Sequence, residues 1–445
     1  MRTICLYFEI HQIIHLKRYR FFDIGNDHYY YDDYANETGM NEVAERSYIP
    51  ALNALIEMAK NSGGAFKVAL SISGVALEQL EIHAPAVIDL LHQLNETGCC
   101  EFLCEPYSHG LSSLANEDCF REEVLRQRDK MKQMFGKEPK VFRNSSLIYS
   151  DEIGGLVASM GFKGMLTEGA KHVLGWKSPN FVYTNVMNPR LKLLLKNSRL
   201  SDDLTLRFSD HSWHEWPLTA DKYARWLKDS TQDSEIVNLF MNYETFGENQ
   251  LAETGIFEFM RSLPEYIFST TDFEFLTPSE AVKKHQPVAP LHVPYPISWA
   301  DEEKDITGWL GNELQNEAFE ELFKIQPKVE ALNDPELNED YSRLQASDHF
   351  YYMRTKLFSD NDYHRYVSPY ETPYEAFINY MNVLSDFVAR VEDMEKMRNI
   401  AGNKITEEEK SPEKKKRTPR VKSTESAAKA TKKVSTKEKQ VKSKH

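Results

Sequence analysis

Polar residues able to do chemistry stand directly behind short apolar runs. Glu9, His11 and Gln12 follow the first run, Glu105 and His109 the third, Arg143, Asn144, Ser145 and Ser146 the fourth, and Asn242 and Glu244 the seventh. Together they offer titratable groups and hydrogen-bond donors and acceptors, the equipment for holding a polar ligand or moving a proton. His11, His15, His83 and His109 share no element at ligand spacing and have few aspartates beside them, so neither a metal nor any other cofactor is expected.

These residues need elements that gather them. Nearly continuous apolar runs at 3–10, 67–73, 99–104, 140–143, 163–167, 192–195, 235–241 and 273–276 read as strands buried on both faces. Helical spacing lies between them at 45–60, 84–95, 117–135, 151–160, 219–228 and 251–263. Gly98, Gly136 and Gly161 stand where helix ends want a left-handed residue, and Thr277-Pro278-Ser279-Glu280 has the form of a helix start. Strand alternating with helix predicts an α/β fold, a barrel rather than an open sheet, and a barrel carries its working groups at the C-terminal ends of its strands.

Prolines at 287, 290, 294 and 296 mark a boundary or an extended crossing, after which 309–323, 335–357 and 376–397 read as helices. Beyond Ala401 almost no large apolar residue remains, so a disordered basic tail is expected. Three regions follow: 1–285, 286–400 and 401–445.

Length and composition agree. A chain of 445 residues with 41% hydrophobic, 27% charged and 12% aromatic residues is globular and large enough for a sizeable core. Its net charge of −14 hides a division, because residues 401–445 carry +9 and the other 400 carry −23. An acidic body does not suit nucleic acid and favours a neutral polar ligand. The Lys-rich tail reads as a solvated end. Its clusters, such as Lys414-Lys415-Lys416-Arg417, also suit weak, salt-dependent attraction to an anionic polymer or to the acidic body itself. Five cysteines in no paired pattern read as buried thiols, no run is long enough to span a membrane, and no secretory leader is expected. A cytoplasmic protein is expected.

Five segments, in order, carry a resemblance to the α-amylase branch of glycoside hydrolase family 57. They are Glu9-Ile10-His11-Gln12 with residues 16–25, Ser71-Ile72-Ser73-Gly74 with Glu78-Gln79-Leu80-Glu81, and Phe142-Arg143-Asn144-Ser145-Ser146-Leu147-Ile148-Tyr149. The others are Phe240-Met241-Asn242-Tyr243-Glu244-Thr245-Phe246-Gly247-Glu248 and the stretch from Ser298-Trp299-Ala300-Asp301 to Trp309-Leu310-Gly311-Asn312. The resemblance implies a distorted seven-stranded (β/α) barrel followed by a helical bundle, with an α-glucan or maltooligosaccharide as partner. His11, Arg143, His109, Glu244, Trp213, Trp299 and Asp301 then become substrate-binding candidates, the tryptophans by stacking on sugar faces. Ile13 replaces the proline of the first motif.

A retaining glycosidase needs a carboxylate nucleophile and a carboxyl acid/base about 5 to 5.5 Å apart. The family's nucleophile motif resembles Phe-Arg-Asn-Thr-Glu-Leu-Ile-Tyr, so its Glu falls on Ser146. The acid/base motif resembles Phe-Met-Asp-Tyr-Glu-Thr-Phe-Gly, so its Asp falls on Asn242. Losing the acid alone typically costs about 10² to 10⁴ in rate, and losing the nucleophile removes the covalent route. The resemblance therefore implies a protein that binds α-glucan with little or no hydrolysis. Two alternatives stand beside it: an active α-amylase or 4-α-glucanotransferase using a displaced carboxylate such as Glu244 or Asp210, and a scaffold or interaction protein. The single residues also have structural readings. His11 can be a core histidine, Arg143 can pair with Glu9 or Glu105, and Trp213 and Trp299 can be core aromatics.

Overall fold

The computed structural model describes residues 1–230, 233–356 and 368–409. Among the described residues ten strands form: β1 Arg2–Ile10, β2 Val68–Ile72, β3 Cys100–Phe102, β4 Val141–Arg143, β5 Gly164–Thr167, β6 Tyr183–Asn185, β7 Lys192–Leu195, β8 Ile236–Asn242, β9 Phe273–Phe275 and β10 Ala289–Leu291. Parallel pairing runs β3-β2-β1-β8 in one sheet and β4-β5-β7 in the other. Parallel bridges Cys104–Phe142 and Lys196–Asn238 join the two sheets, so hydrogen bonding passes from β1 through β2, β3, β4, β5, β7 and β8 back to β1. Outside this circuit, β9 pairs with the start of β1, β6 runs antiparallel to β7, and β10 pairs with β6.

The circuit follows from alternation along each strand. Cys5, Tyr7, Ala69, Leu103, Val141, Leu166, Leu194, Ile236 and Phe240 share one buried cluster, whereas Ile4, Leu6, Phe8 and Ile10 belong to another with the surrounding helices. Side chains two residues apart share a face. The next inward positions are therefore Glu9, Ser71, Glu105, Arg143, Glu168, Lys196 and Asn242, one per strand of the circuit. They make a polar layer on the apolar one, at the C-terminal ends of the strands.

Helices connect the strands with caps the sequence provides. The Asn116 side chain caps Glu117–Phe135, which ends at Gly136 with φ +74°, and Thr277 and Glu280 form a reciprocal capping box for Pro278–Lys284. Other expectations needed correction. A helix at Asp33–Val43 precedes a π-turn and the helix Ile49–Asn61, and the helix expected at 251–263 starts only after Gly255 and continues to Thr270. Part of the proline-rich stretch forms β10. Gly311 and Asn312 divide the 309–323 segment into Thr307–Leu310 and Glu313–Leu332, the second capped by Asn312.

The C-terminal helices fall at Pro335–Leu344, Ser347–Tyr352 and Pro373–Glu409. The last continues past Ala401, where disorder was expected to begin, and the expected tail beyond Glu409 lies outside the described residues. Residues Met1–Lys396 form one compact unit. Within it the loop after β3 meets these helices: Gly110 bridges Ala346, and Ser347 N–H donates to the His109 carbonyl at 3.2 Å. All five cysteines are buried and unpaired, and among the described residues no helix is long and apolar enough to cross a membrane.

Candidate functional site

One half of the polar layer is a sealed ion network. Arg143 pairs with Glu9 and lies 3.5 Å from Glu105 Oε2. His109 Nδ1 donates to Glu105 Oε2 at 3.1 Å and lies 3.4 Å from Glu9 Oε1. The His11 ring stacks on His109 at 3.9 Å between centroids. His11 Nε2 donates to Asp348 Oδ2 at 2.9 Å, and its Nδ1 meets Ser73 Oγ at 2.7 Å. All these side chains are buried.

Burial pushes the Glu9 and Glu105 carboxyls upward against the opposing pull of Arg143. Burial alone would lower His11, but the Asp348 carboxylate raises it. Burial also works against charge on Asp348, yet the charge and hydrogen bond of His11 outweigh it and hold that carboxyl down to about 2. His109 goes well below its ordinary value through burial and the nearby charges of His11 and Arg143. Glu9, Glu105 and His109 place three ligand-type atoms within 4.8 Å of one another, a grouping of the end of β1 with the loop after β3 that spacing along one element does not reveal. Arg143 supplies the positive charge there.

Asn242 pairs in register with Glu9 and is half-buried. Glu244, two residues on and also half-buried, accepts hydrogen bonds from Tyr48 Oη and from Gln12 Nε2, the latter at 3.3 Å. Burial moves its carboxyl up to about 7 despite the Tyr48 bond. Gly247 closes the segment at φ +108°, where a Cβ would collide with the Arg46 carbonyl.

Ser146 is buried, with φ +55°, in the short turn after β4. Its carbonyl accepts from the Trp299 N–H at 3.2 Å. Trp299 in turn lines a cleft of about 850 Å³ together with Gly169, Lys196, Ser198, Asp202 and Asp301. Asp301 is held by Lys356 at 2.8 Å.

Of the residues the sequence singled out, Trp299 and Asp301 line this cleft, and Ser146 is tied to it through Trp299. His11, His109 and Arg143 sit in the sealed network, and Asn242 and Glu244 lie at the end of β8. Trp213 packs edge-on against Trp226 at 5.8 Å beside the helical core. Asp210 accepts from the Ser212 N–H and Oγ in a surface turn. Asp348, Glu168 and Lys196 were not among the expected residues.

A circuit of parallel strands with a polar layer and a cleft at their C-terminal ends, completed by C-terminal helices, defines an α/β protein of the kind that carries its site at the strand ends. The chain belongs to glycosyl hydrolase family 57, whose family model matches residues 5–294. A protein of Methanocaldococcus jannaschii named "Putative alpha-amylase" is 40% identical over 400 residues, covering 87% of this chain and 84% of its own. The solved GH57-type branching enzyme from Pyrococcus horikoshii superposes with a TM-score of 0.61 at 12% identity, over 89% of this chain and 94% of that one. The 4-alpha-glucanotransferase from Thermococcus litoralis gives 0.59 at 16% identity, over 78% of this chain, which spans 56% of that longer protein. At these identities the two structures speak for the fold alone.

Proposed function

We propose that this chain is an α-amylase-like member of α-glucan metabolism that binds an α-glucan or maltooligosaccharide in the cleft beside Trp299 and hydrolyses it little or not at all. The observation that carries this is the pair Ser146 and Asn242, an alcohol and an amide at strand ends where the family's carboxyls fall by motif. A serine without an activating base is no substitute for a carboxylate nucleophile, and an amide has no proton to give at neutral pH. The burial of Ser146 fits this reading. The ring of seven parallel strands is read as the distorted barrel of the family, with 1–285 as barrel, 286–400 as the helical region completing the cleft and 401–445 as a separable basic tail. Five buried thiols fit a reducing compartment, and we place the protein in the cytoplasm.

One observation favours a second reading. Glu244 is half-buried, lies two residues from Asn242 and has a carboxyl pushed up to about 7, the property of a general acid at neutral pH. In that reading the protein is an active amylase or glucanotransferase with a displaced acid, and it still requires a second carboxylate at attacking distance.

Calorimetric titration of the full chain with maltoheptaose tests the leading reading. Saturable binding that Trp299→Ala weakens supports it. Absence of binding overturns it and favours a scaffold or interaction protein.

A further inference from the structure

The polar layer has a second half that the ion network does not use. Glu168 and Lys196 occupy the inward positions after β5 and β7, one step beyond Leu166 and Leu194. Glu168 is 1% exposed. Its Oε1 accepts from Ser198 Oγ and, at 3.2 Å, from the Gly169 N–H, whereas its Oε2 is buried without a hydrogen-bond partner. Lys196, 7% exposed, donates to Asp202 Oδ1 at 3.0 Å. Gly169, Ser198, Lys196 and Asp202 all line the cleft that contains Trp299. A Cβ on Gly169 would collide with the Lys196 carbonyl, so the backbones of the two strand ends are pressed together there.

A buried carboxylate oxygen without a donor is costly, and the cost is removed when a ligand or water supplies one. Counting Glu168, five Asp and Glu side chains balance the five Lys and Arg side chains around the cleft, so no net charge selects a phosphate or carboxylate and the site suits the hydroxyls of a neutral sugar. Hydroxyls can donate to Glu168 Oε2 and accept from Lys196 Nζ, while the Trp299 indole offers the same cleft an apolar face.

The geometry points to Lys196 and, directly beneath the lining residues Gly169 and Ser198, Glu168 as the floor of a sugar-binding subsite, with Glu168 accepting from a hydroxyl of a neutral glucosyl unit. This rests on the glucan-binding reading and names the residues that would carry its affinity. It also gives a reason for retaining two buried charges at strand ends that lie apart from Ser146 and Asn242 in the motifs.

Full-length protein and its Glu168→Gln, Lys196→Met and Trp299→Ala variants are titrated with maltoheptaose by calorimetry, with thermal unfolding recorded for each. Hydrogen bonds to charged groups contribute enough that Glu168→Gln, which keeps shape but loses charge, should weaken binding about tenfold to a hundredfold. Its unfolding temperature should be unchanged or higher. Lys196→Met is read against the same thresholds, so one poorly folding variant does not remove the test. If the folded floor variants stay within twofold of wild type while Trp299→Ala loses affinity, the floor assignment is wrong and glucan binding stands. If the wild-type protein binds no maltoheptaose, both fall.

Discussion

His11 Nε2 and Asp348 Oδ2 lie 2.9 Å apart, joining the end of the first strand to a helix 337 residues later in the chain. Both side chains are buried, and the hydrogen bond places the C-terminal helices in the same polar network as Glu9, Glu105 and Arg143. The C-terminal region is thus part of the strand-end architecture.

Asp348→Asn should destabilise the protein by about 3 to 5 kcal/mol near pH 6, the usual loss when one member of a buried pair is removed. The folded pKa of His11 is raised, so its contribution is complete below about 6.5 and fades as pH rises through the raised value. Asp348 is held to about 2, so its contribution is complete above the ordinary carboxyl value and fades as pH falls toward 2. Urea unfolding at pH 6 and pH 9 should therefore show a larger loss at pH 6.

Arg143→Met should leave Glu9 and Glu105 buried without their counter-charge. A loss of about 3 to 5 kcal/mol is expected at pH 8, smaller at pH 5.5. Carboxyls raised in the folded state are relieved by protonation, so stability falls as pH rises through their folded values. A loss equal at both pH values would show that Arg143 matters for packing rather than for charge.

Joint replacement Ser146→Glu and Asn242→Asp should create hydrolysis of maltooligosaccharide that neither single change produces, because nucleophile and acid act on one bond. Reducing-end release by the three variants is the measurement. No gain in a double variant that still binds sugar would mean that more than two side chains separate this site from an active one.

Removing residues 410–445 should leave the unfolding temperature and glucan affinity unchanged, since the site residues all lie in the unit Met1–Lys396. Loss of either would give the basic tail a role in the body.

The strands were legible because seven of the eight predicted runs are the members of the circuit and the eighth became β9, each reading as a block of apolar residues. β6 and β10, three residues each and without periodicity, were not. The polar layer was partly legible. The two-residue step from Leu103 to Glu105 recurs from Leu166 to Glu168 and from Leu194 to Lys196, so alternation already marks the latter two as inward polar positions. Asp348 carried no such signal, because its role depends on a helix from the far end of the chain reaching β1. Trp213 shows the converse. It is a candidate for stacking on a sugar face from the sequence, and Trp226, thirteen positions on, provides it with a packing partner.

Reducing-end release from maltoheptaose by the wild-type protein and Glu244→Gln, near pH 6 where the Glu244 carboxyl holds its proton, separates a glucan-binding protein from an active amylase. No release above the protein-free control from either protein is expected. Steady release by wild type that Glu244→Gln abolishes would contradict it and make the protein a working glycosidase.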